Sequence, residues 1–363
     1  MRTRRPLAAL ATTLTALTFA TLAAPAAAVA DAPALARGER SVAATRMQAT
    51  SDPTRPRGGV FGATSVWKAD VRTAPVHPRS QVMVADLTKQ VTSLYNGVAA
   101  FNVSNYSTSF YTVGAAQPRV DVKFDDCQKK GYLPTGLYGP GGQFTAVPVP
   151  ADAVPARGTD GQLTVYSPST DQLWEFWRAK KVGAQWQACW GGRIDKVSTS
   201  PGFFSGSFGS SATGLSFSAG AISVKDVQAG SIDHALSLQI VTPATWKTFS
   251  WPAQRSDGFS THPDAIPEGL RFRLDPSVDV EALQGLTPIG RMVARAAQRY
   301  GFIVTDKGGA VALTAESGTA VQAATGTDPW PALMQRKPSY EVLRGFPWDK
   351  LQALPKDYGK PVR

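Results

Sequence analysis

Between residues 80 and 95, Val84, Leu87, Val91 and Leu94 recur three or four positions apart. That spacing lines one face of an α-helix and predicts an amphipathic helix there. A second is expected over 287–300, where Ile289, Met292, Val293, Ala296 and Ala297 form the apolar stripe. Its ends carry local signals: Thr287 can cap it, Pro288 suits a first turn, and Gly301 can stop it. Elsewhere the apolar runs are short, alternate with polar positions, and are broken by Gly, Pro, Asn and Asp. Strands are therefore expected over 110–113, 120–124, 144–149, 163–166, 173–178, 186–194, 232–241, 270–274, 302–305 and 311–315.

Turn chemistry separates several of these runs. Gly158-Thr159-Asp160-Gly161 and Pro168-Ser169-Thr170-Asp171 combine residues that supply positive φ, preset φ, or bond the backbone ahead. Lys307-Gly308-Gly309 reads as the turn of a hairpin joining the last two strands. Residues 201–220, crowded with Gly, Ser and Phe, read as a long loop or a loosely paired hairpin. Many short strands with two good helices predict a mainly β fold: an antiparallel β-sandwich, jelly-roll-like, with two amphipathic helices.

The first thirty residues have a different pattern. Arg2, Arg4 and Arg5 precede an uncharged Ala, Leu and Thr run, which ends in Ala28-Val29-Ala30. A charged head, an apolar middle and small residues at the cleavage point predict a signal peptide over 1–30, cut after Ala30. The expected location is then secreted and extracellular, with no stable membrane insertion once the signal is removed. Residues 31–58, rich in Ala, Pro, Arg, Ser and Thr, read as a disordered or linker arm. A β-rich domain is expected over 59–316, and a C-terminal tail packed on it over 317–363.

Charge narrows the partners. The formal net charge is +11, and loss of the three signal arginines lowers it to +8. The excess is spread along the chain without a basic stripe, so nucleic acid is not an expected partner. A mildly positive exterior favours a polysaccharide or cell-wall polymer, anionic ones in particular. The two cysteines, Cys127 and Cys189, fit a single disulfide in an oxidising compartment. With His77, His234 and His262 scattered, no zinc cluster, other metal site or cofactor is expected, and the chain is expected to be monomeric.

Three segments could carry chemistry. In the strand 173–178, alternation puts Leu173, Glu175 and Trp177 on one face, with Trp174, Phe176 and Arg178 on the other. A carboxylate beside an indole suits a sugar cleft, where Glu175 would be the acid/base or nucleophile and tryptophans would stack on sugar rings. The competing expectation makes the tryptophans core and pairs Glu175 with Arg178 or a lysine. In 231–240, His234 falls on an apolar face and Asp233 on the opposite one, which offers either as a catalytic partner. In 251–275, Trp251, Arg255 and Asp257 precede Ile266-Pro267-Glu268-Gly269, Arg271, Arg273 and Asp275. Arg255 and Asp257 would orient substrate, with Trp174, Trp177 and Trp251 as stacking platforms. Alternatively, Arg255 pins a loop through Asp257 or Asp264.

The Gly-x-Ser-x-Gly elbow, the Walker loop, the His-Glu-x-x-His helix and the dinucleotide glycine motif are all missing from the sequence. The expected function is a secreted carbohydrate-active protein, either a glycoside hydrolase or a polysaccharide lyase; the alternative is a non-catalytic polysaccharide- or cell-wall-binding protein. Leu173-Trp-Glu-Phe-Trp177, Ile232-Asp-His-Ala-Leu236, Trp251-Pro-Ala-Gln-Arg-Ser-Asp-Gly258, Ile266-Pro-Glu-Gly-Leu-Arg-Phe-Arg-Leu-Asp-Pro276 and Ala296-Ala-Gln-Arg-Tyr-Gly301 give the chain a family likeness. Over roughly residues 60–355 it resembles an uncharacterised group of secreted actinobacterial proteins. That resemblance implies secretion and integrity as one domain, and no activity.

Overall fold

The computed structural model describes residues 51–362. The expected signal peptide, and residues 31–50 of the expected arm, lie outside the described residues. In chain order the elements are β1 (Ser51–Asp52), α1 (Ser80–Thr92), β2 (Ala100–Asn102), β3 (Thr108–Val113), β4 (Lys123–Phe124), β5 (Gln162–Ser167), β6 (Gln172–Trp177), β7 (Lys180–Val182), β8 (Gln185–Ala188), β9 (Trp190–Asp195), α2 (Val224–Ala229), β10 (Leu236–Ile240), β11 (Arg271–Leu274), α3 (Pro288–Arg299), β12 (Phe302–Lys307), β13 (Ala312–Thr314), α4 (Gly318–Thr325), α5 (Trp330–Leu333) and β14 (Leu351–Ala353).

These strands form three sheets, ordered β1-β3-β5-β6-β9, β14-β11-β12-β10-β13-β2 and β4-β8-β7. The fold is mainly sheet, as expected. Antiparallel pairing throughout, and the jelly roll with it, does not hold: β3/β5, β10/β12, β13/β2 and β4/β8 are parallel. Long connections between the partners make this possible, since a parallel pair needs a crossover rather than a tight turn. The hairpin expected at Lys307-Gly308-Gly309 is also corrected. β10 lies between β12 and β13, and Gly308 N–H donates to Ile240 O. Glycines permit a sharp reversal without dictating that its two arms pair with each other.

Both expected helices form. The Thr287 hydroxyl accepts from Gly290 N–H at the start of α3. Stripes from α1 (Met83, Val84, Leu87, Val91) and α3 (Ile289, Met292, Val293, Ala296) share a core with Leu236, Leu238 and Ile240 of β10. A second cluster gathers Trp174 and Phe176 with Phe144, Leu163 and Val165. A third joins Phe110, Leu173 and Ile194 of the five-stranded sheet to Ile303 of the six-stranded one, through Phe204 and Leu215. The segment 201–220 contains the loose pairing expected, an antiparallel Phe203/Leu215 bridge, and it packs Phe204 and Leu215 into the interior.

This third cluster explains Gly192. A Cβ there would stand 2.8 Å from both Gly209 N and a ring carbon of Phe204, so only glycine lets the segment lie on β9. The expected strand over 186–194 is split into β8 and β9, which belong to different sheets, and Cys189 sits at the break. Cys127 and Cys189 form the expected disulfide. The last residues of the expected arm are ordered: β1 pairs with β3, and Arg55 is fully buried. Residues 317–362 supply α4, α5 and β14, an edge strand of the six-stranded sheet.

Candidate functional site

Glu175 lies in the middle of β6, paired across to Thr164 and Gly192. Both faces of this strand are covered, so its carboxylate has no exposure at all. It accepts from Phe217 N–H (2.8 Å), Ser218 N–H (2.9 Å) and the hydroxyls of Ser216 (2.7 Å), Ser218 (2.7 Å) and Ser210 (3.2 Å). Five donors occupy the lone pairs that a proton-transfer role needs free. This geometry makes Glu175 the anchor of the 210–218 segment rather than a group that meets substrate. Neither Arg178 nor a lysine hydrogen-bonds it, so the alternative pairing expected from the sequence is also replaced.

Its neighbour Trp174 is fully buried core, with the Arg119 guanidinium 5.7 Å from the ring centroid. Trp177 is half-buried and donates its indole N–H to Asp160 Oδ1 (3.1 Å). Trp174 offers no stacking face, because the second core cluster encloses it.

His234 belongs to a second sealed arrangement. Arg55 donates to Asp226 Oδ2 (2.9 Å), to His234 Nε2 (2.6 Å) and to the carbonyls of Ser218 and Ala219 (both 3.0 Å). Nε2 thus accepts and Nδ1 donates to Ala235 O (2.8 Å), which fixes the neutral tautomer. Burial, with the Arg55 charge beside it, pushes the imidazole below its usual pKa. Burial alone would raise Asp226, but the Arg55 charge and the Gly58 N–H outweigh it and hold the carboxyl well below the usual range. Asp233 faces the other way, half-exposed beside Arg57 and Ser231. Glu175, Asp233 and His234 share no hydrogen-bond partner, so the catalytic set expected from the sequence is not assembled.

Arg255 and Asp257 do lie near other charges, though not each other's. Arg255 donates to the carbonyls of Phe208 and Ser211 (both 2.9 Å), while Lys307 bridges to Asp257 (3.0 Å) and Arg79 to Asp264. Carboxylate oxygens of Asp257, Glu268 and Asp306 lie within 4.8 Å of one another. Burial, then the charges of Asp306 and Asp257, push Glu268 up to about 8. Burial and Asp257 likewise push Asp306 up to about 7. Protons on one or both relieve the repulsion near neutral pH.

Trp251 is the sequence candidate that reaches a pocket. Its N–H donates to Asp357 Oδ1 (2.6 Å), and Asp357 N–H donates to Ser250 Oγ (2.9 Å). That clasp sets the C-terminal residues Tyr358 to Pro361 against the 250–251 corner. The resulting pocket, about 220 Å³, is lined by Thr64, Ser65, Pro201, Trp251, Arg271 and Tyr358, among others. Arg271 projects from β11 and is only 2% exposed. Its Nη2 donates to Val66 O (2.6 Å), while Nε and Nη1 have no partner. The Ser65 hydroxyl is likewise buried without a partner. A larger groove of about 750 Å³ runs between α1 and the β14 region, and Asp275 of the 251–275 segment lines it.

No protein-family model, curated protein or solved structure matches this chain. The site therefore has to be read from its own chemistry. Ser65 and Tyr358 were not singled out by sequence, whereas Arg271 belongs to the 251–275 segment expected to line a cleft and clamp a carboxylate or sugar hydroxyls. Alternation set Arg271 and Arg273 opposite the apolar residues of their strand, and both faces of β11 prove to be buried.

Proposed function

We propose that the protein is a secreted carbohydrate-binding protein that takes a sugar unit of an extracellular polysaccharide in the Trp251 pocket. One observation carries this reading: a half-buried indole and a phenol wall a concave site of about 220 Å³ that also contains unsatisfied polar groups. Ligand sites typically combine an apolar or aromatic wall with a few polar groups that fix orientation, and this pocket is smaller than the usual site for a drug-sized ligand, with room for a single sugar unit at most. The sealed environment of Glu175 favours binding over the catalysis expected from the Glu175 set.

The test is a polysaccharide panel titrated against purified protein, read by tryptophan fluorescence and calorimetry, with release of reducing ends and unsaturated uronates scored in parallel. Binding that Trp251→Ala weakens at least tenfold, without turnover, supports the reading. Binding indifferent to Trp251→Ala overturns it.

Hydrolysis keeps one observation in its favour. Near neutral pH, Glu268 is held protonated in a cluster with Asp257 and Asp306, where a general acid would stand beside further carboxyl groups. Reducing-end release that Asp257→Asn abolishes would establish that second reading.

A further inference from the structure

The other buried arginines, Arg55 and Arg273, have most of their donors engaged, although Arg55 Nε also lacks a partner. Arg55 reaches a carboxylate, an imidazole and two carbonyls. Arg273 donates to Gln352 Oε1 and to the carbonyls of Val71 and Arg72. Among the described residues, Arg271 has a single acceptor, the carbonyl of Val66, and no salt bridge. An enclosed guanidinium without a counter-charge keeps its desolvation cost with no ion pair to offset it. Burial lowers its pKa only to about 10, so it stays protonated at neutral pH. Among the described residues, Arg271 is also the only charged one lining the pocket.

From this we infer that the Trp251 pocket selects a sugar unit bearing one negative charge, whose oxyanion becomes the counter-ion of Arg271 and an acceptor for Ser65. The inference rests on the carbohydrate reading above and specifies its substrate class. One cation balances one anionic charge, so the fit is to a uronate carboxylate or a sugar phosphodiester rather than to a doubly charged phosphomonoester. A charge-assisted hydrogen bond is roughly twice as strong as a neutral one, and it is stronger still away from water. The neutral sugar loses that bond and leaves Arg271 uncompensated, which is the larger part of the discrimination.

The test compares methyl glucuronoside, its uncharged methyl ester and methyl glucoside on the intact protein, with a glucose 1-phosphate methyl diester as the phosphodiester arm. Calorimetry and Trp251 quenching supply the readout. The acid is expected to bind at least tenfold more tightly than its ester or the glucoside. Whichever of acid and phosphodiester binds more tightly identifies the source of the charge.

Arg271→Gln should reduce acid and neutral ligands to equal affinity. If that variant fails to fold, Ser65→Ala, expected to lose affinity for the acid about threefold, replaces it. Equal affinity of wild-type protein for acid, ester and glucoside overturns the charge selection and leaves the carbohydrate reading standing. No binding of any of the four, with polysaccharide binding indifferent to Trp251→Ala, overturns both.

Discussion

Arg55 and Arg271 are both almost completely buried, at 1% and 2% exposure, yet their surroundings differ in kind. Around Arg55 the chain supplies its own counter-charge in Asp226 and uses the surplus donors to hold Ser218, whose N–H and hydroxyl in turn hold Glu175. Around Arg271 it supplies one carbonyl and a pocket. A charge satisfied from within is part of the fold. A charge left unsatisfied beside a cavity is available to something from outside. That contrast moves attention from the conspicuous tryptophan-and-carboxylate strand to a corner of the molecule with far less sequence emphasis.

The largest expected effect breaks the sealed side of the comparison. Asp226→Ala leaves Arg55 buried without its carboxylate and should destabilise the protein by about 3–5 kcal/mol in urea unfolding. Arg271→Met, a volume-conserving change at the unpaired arginine, should shift stability by less than about 1 kcal/mol or raise it. Equal losses in the two variants would dissolve the distinction.

Next comes the anchor. Glu175→Gln puts an amide NH₂ where donors already converge, so one set of N–H and O–H groups loses its acceptor. A loss of about 2–4 kcal/mol is expected, with faster amide exchange over 210–218 than elsewhere. Uniform exchange across the protein would deny Glu175 a local anchoring role.

Much of this architecture was legible in the sequence, for reasons that also mark the limit. The stripes of α1 and α3 report a single buried face, which periodicity reads directly; alternation found the apolar face of β10, Leu236, Leu238 and Ile240, although its polar face is buried as well. The disulfide followed from cysteine count. Strand order did not, because β10 between β12 and β13 depends on partners distant in sequence. Glu175 was placed beside tryptophans correctly but assigned to a cleft, since alternation cannot say that both faces of β6 are covered. The carboxylate cluster draws on Asp257, Glu268 and Asp306, and the pocket on Ser65, Trp251, Arg271 and Tyr358. These constellations exist only after the chain has folded.

A smaller effect should appear with pH at the carboxylate cluster, which stands between the two extremes: it is unsatisfied, but protons can satisfy it. The folded pKa of Glu268 is raised to about 8 and that of Asp306 to about 7, above the ordinary values of 4.5 and 3.8. The folded state therefore holds more protons than the unfolded chain between those limits. Stability from this source is fully present below the ordinary carboxylate values and is lost as pH rises through about 7 and 8. A decline from pH 5 to pH 9 is expected, read from urea midpoints. Glu268→Gln should flatten that profile, and an unchanged slope would remove the cluster as its source.

The smallest expected effect isolates exposure as the variable. Lys307 and Asp257 form an ion pair at 3.0 Å, a distance close to that of Arg55 and Asp226 at 2.9 Å, but their side chains are 39% and 47% exposed. Water already solvates both partners, so the pair contributes little beyond what each ion has alone. Lys307→Met should cost less than about 1 kcal/mol at pH 7, and still less as salt screens the pair. A loss approaching that of Asp226→Ala would mean that distance, and not enclosure, decides which charges hold this fold together. The case for Arg271 as a ligand-directed charge would then fail with it, because that case depends on burial making an absent partner costly.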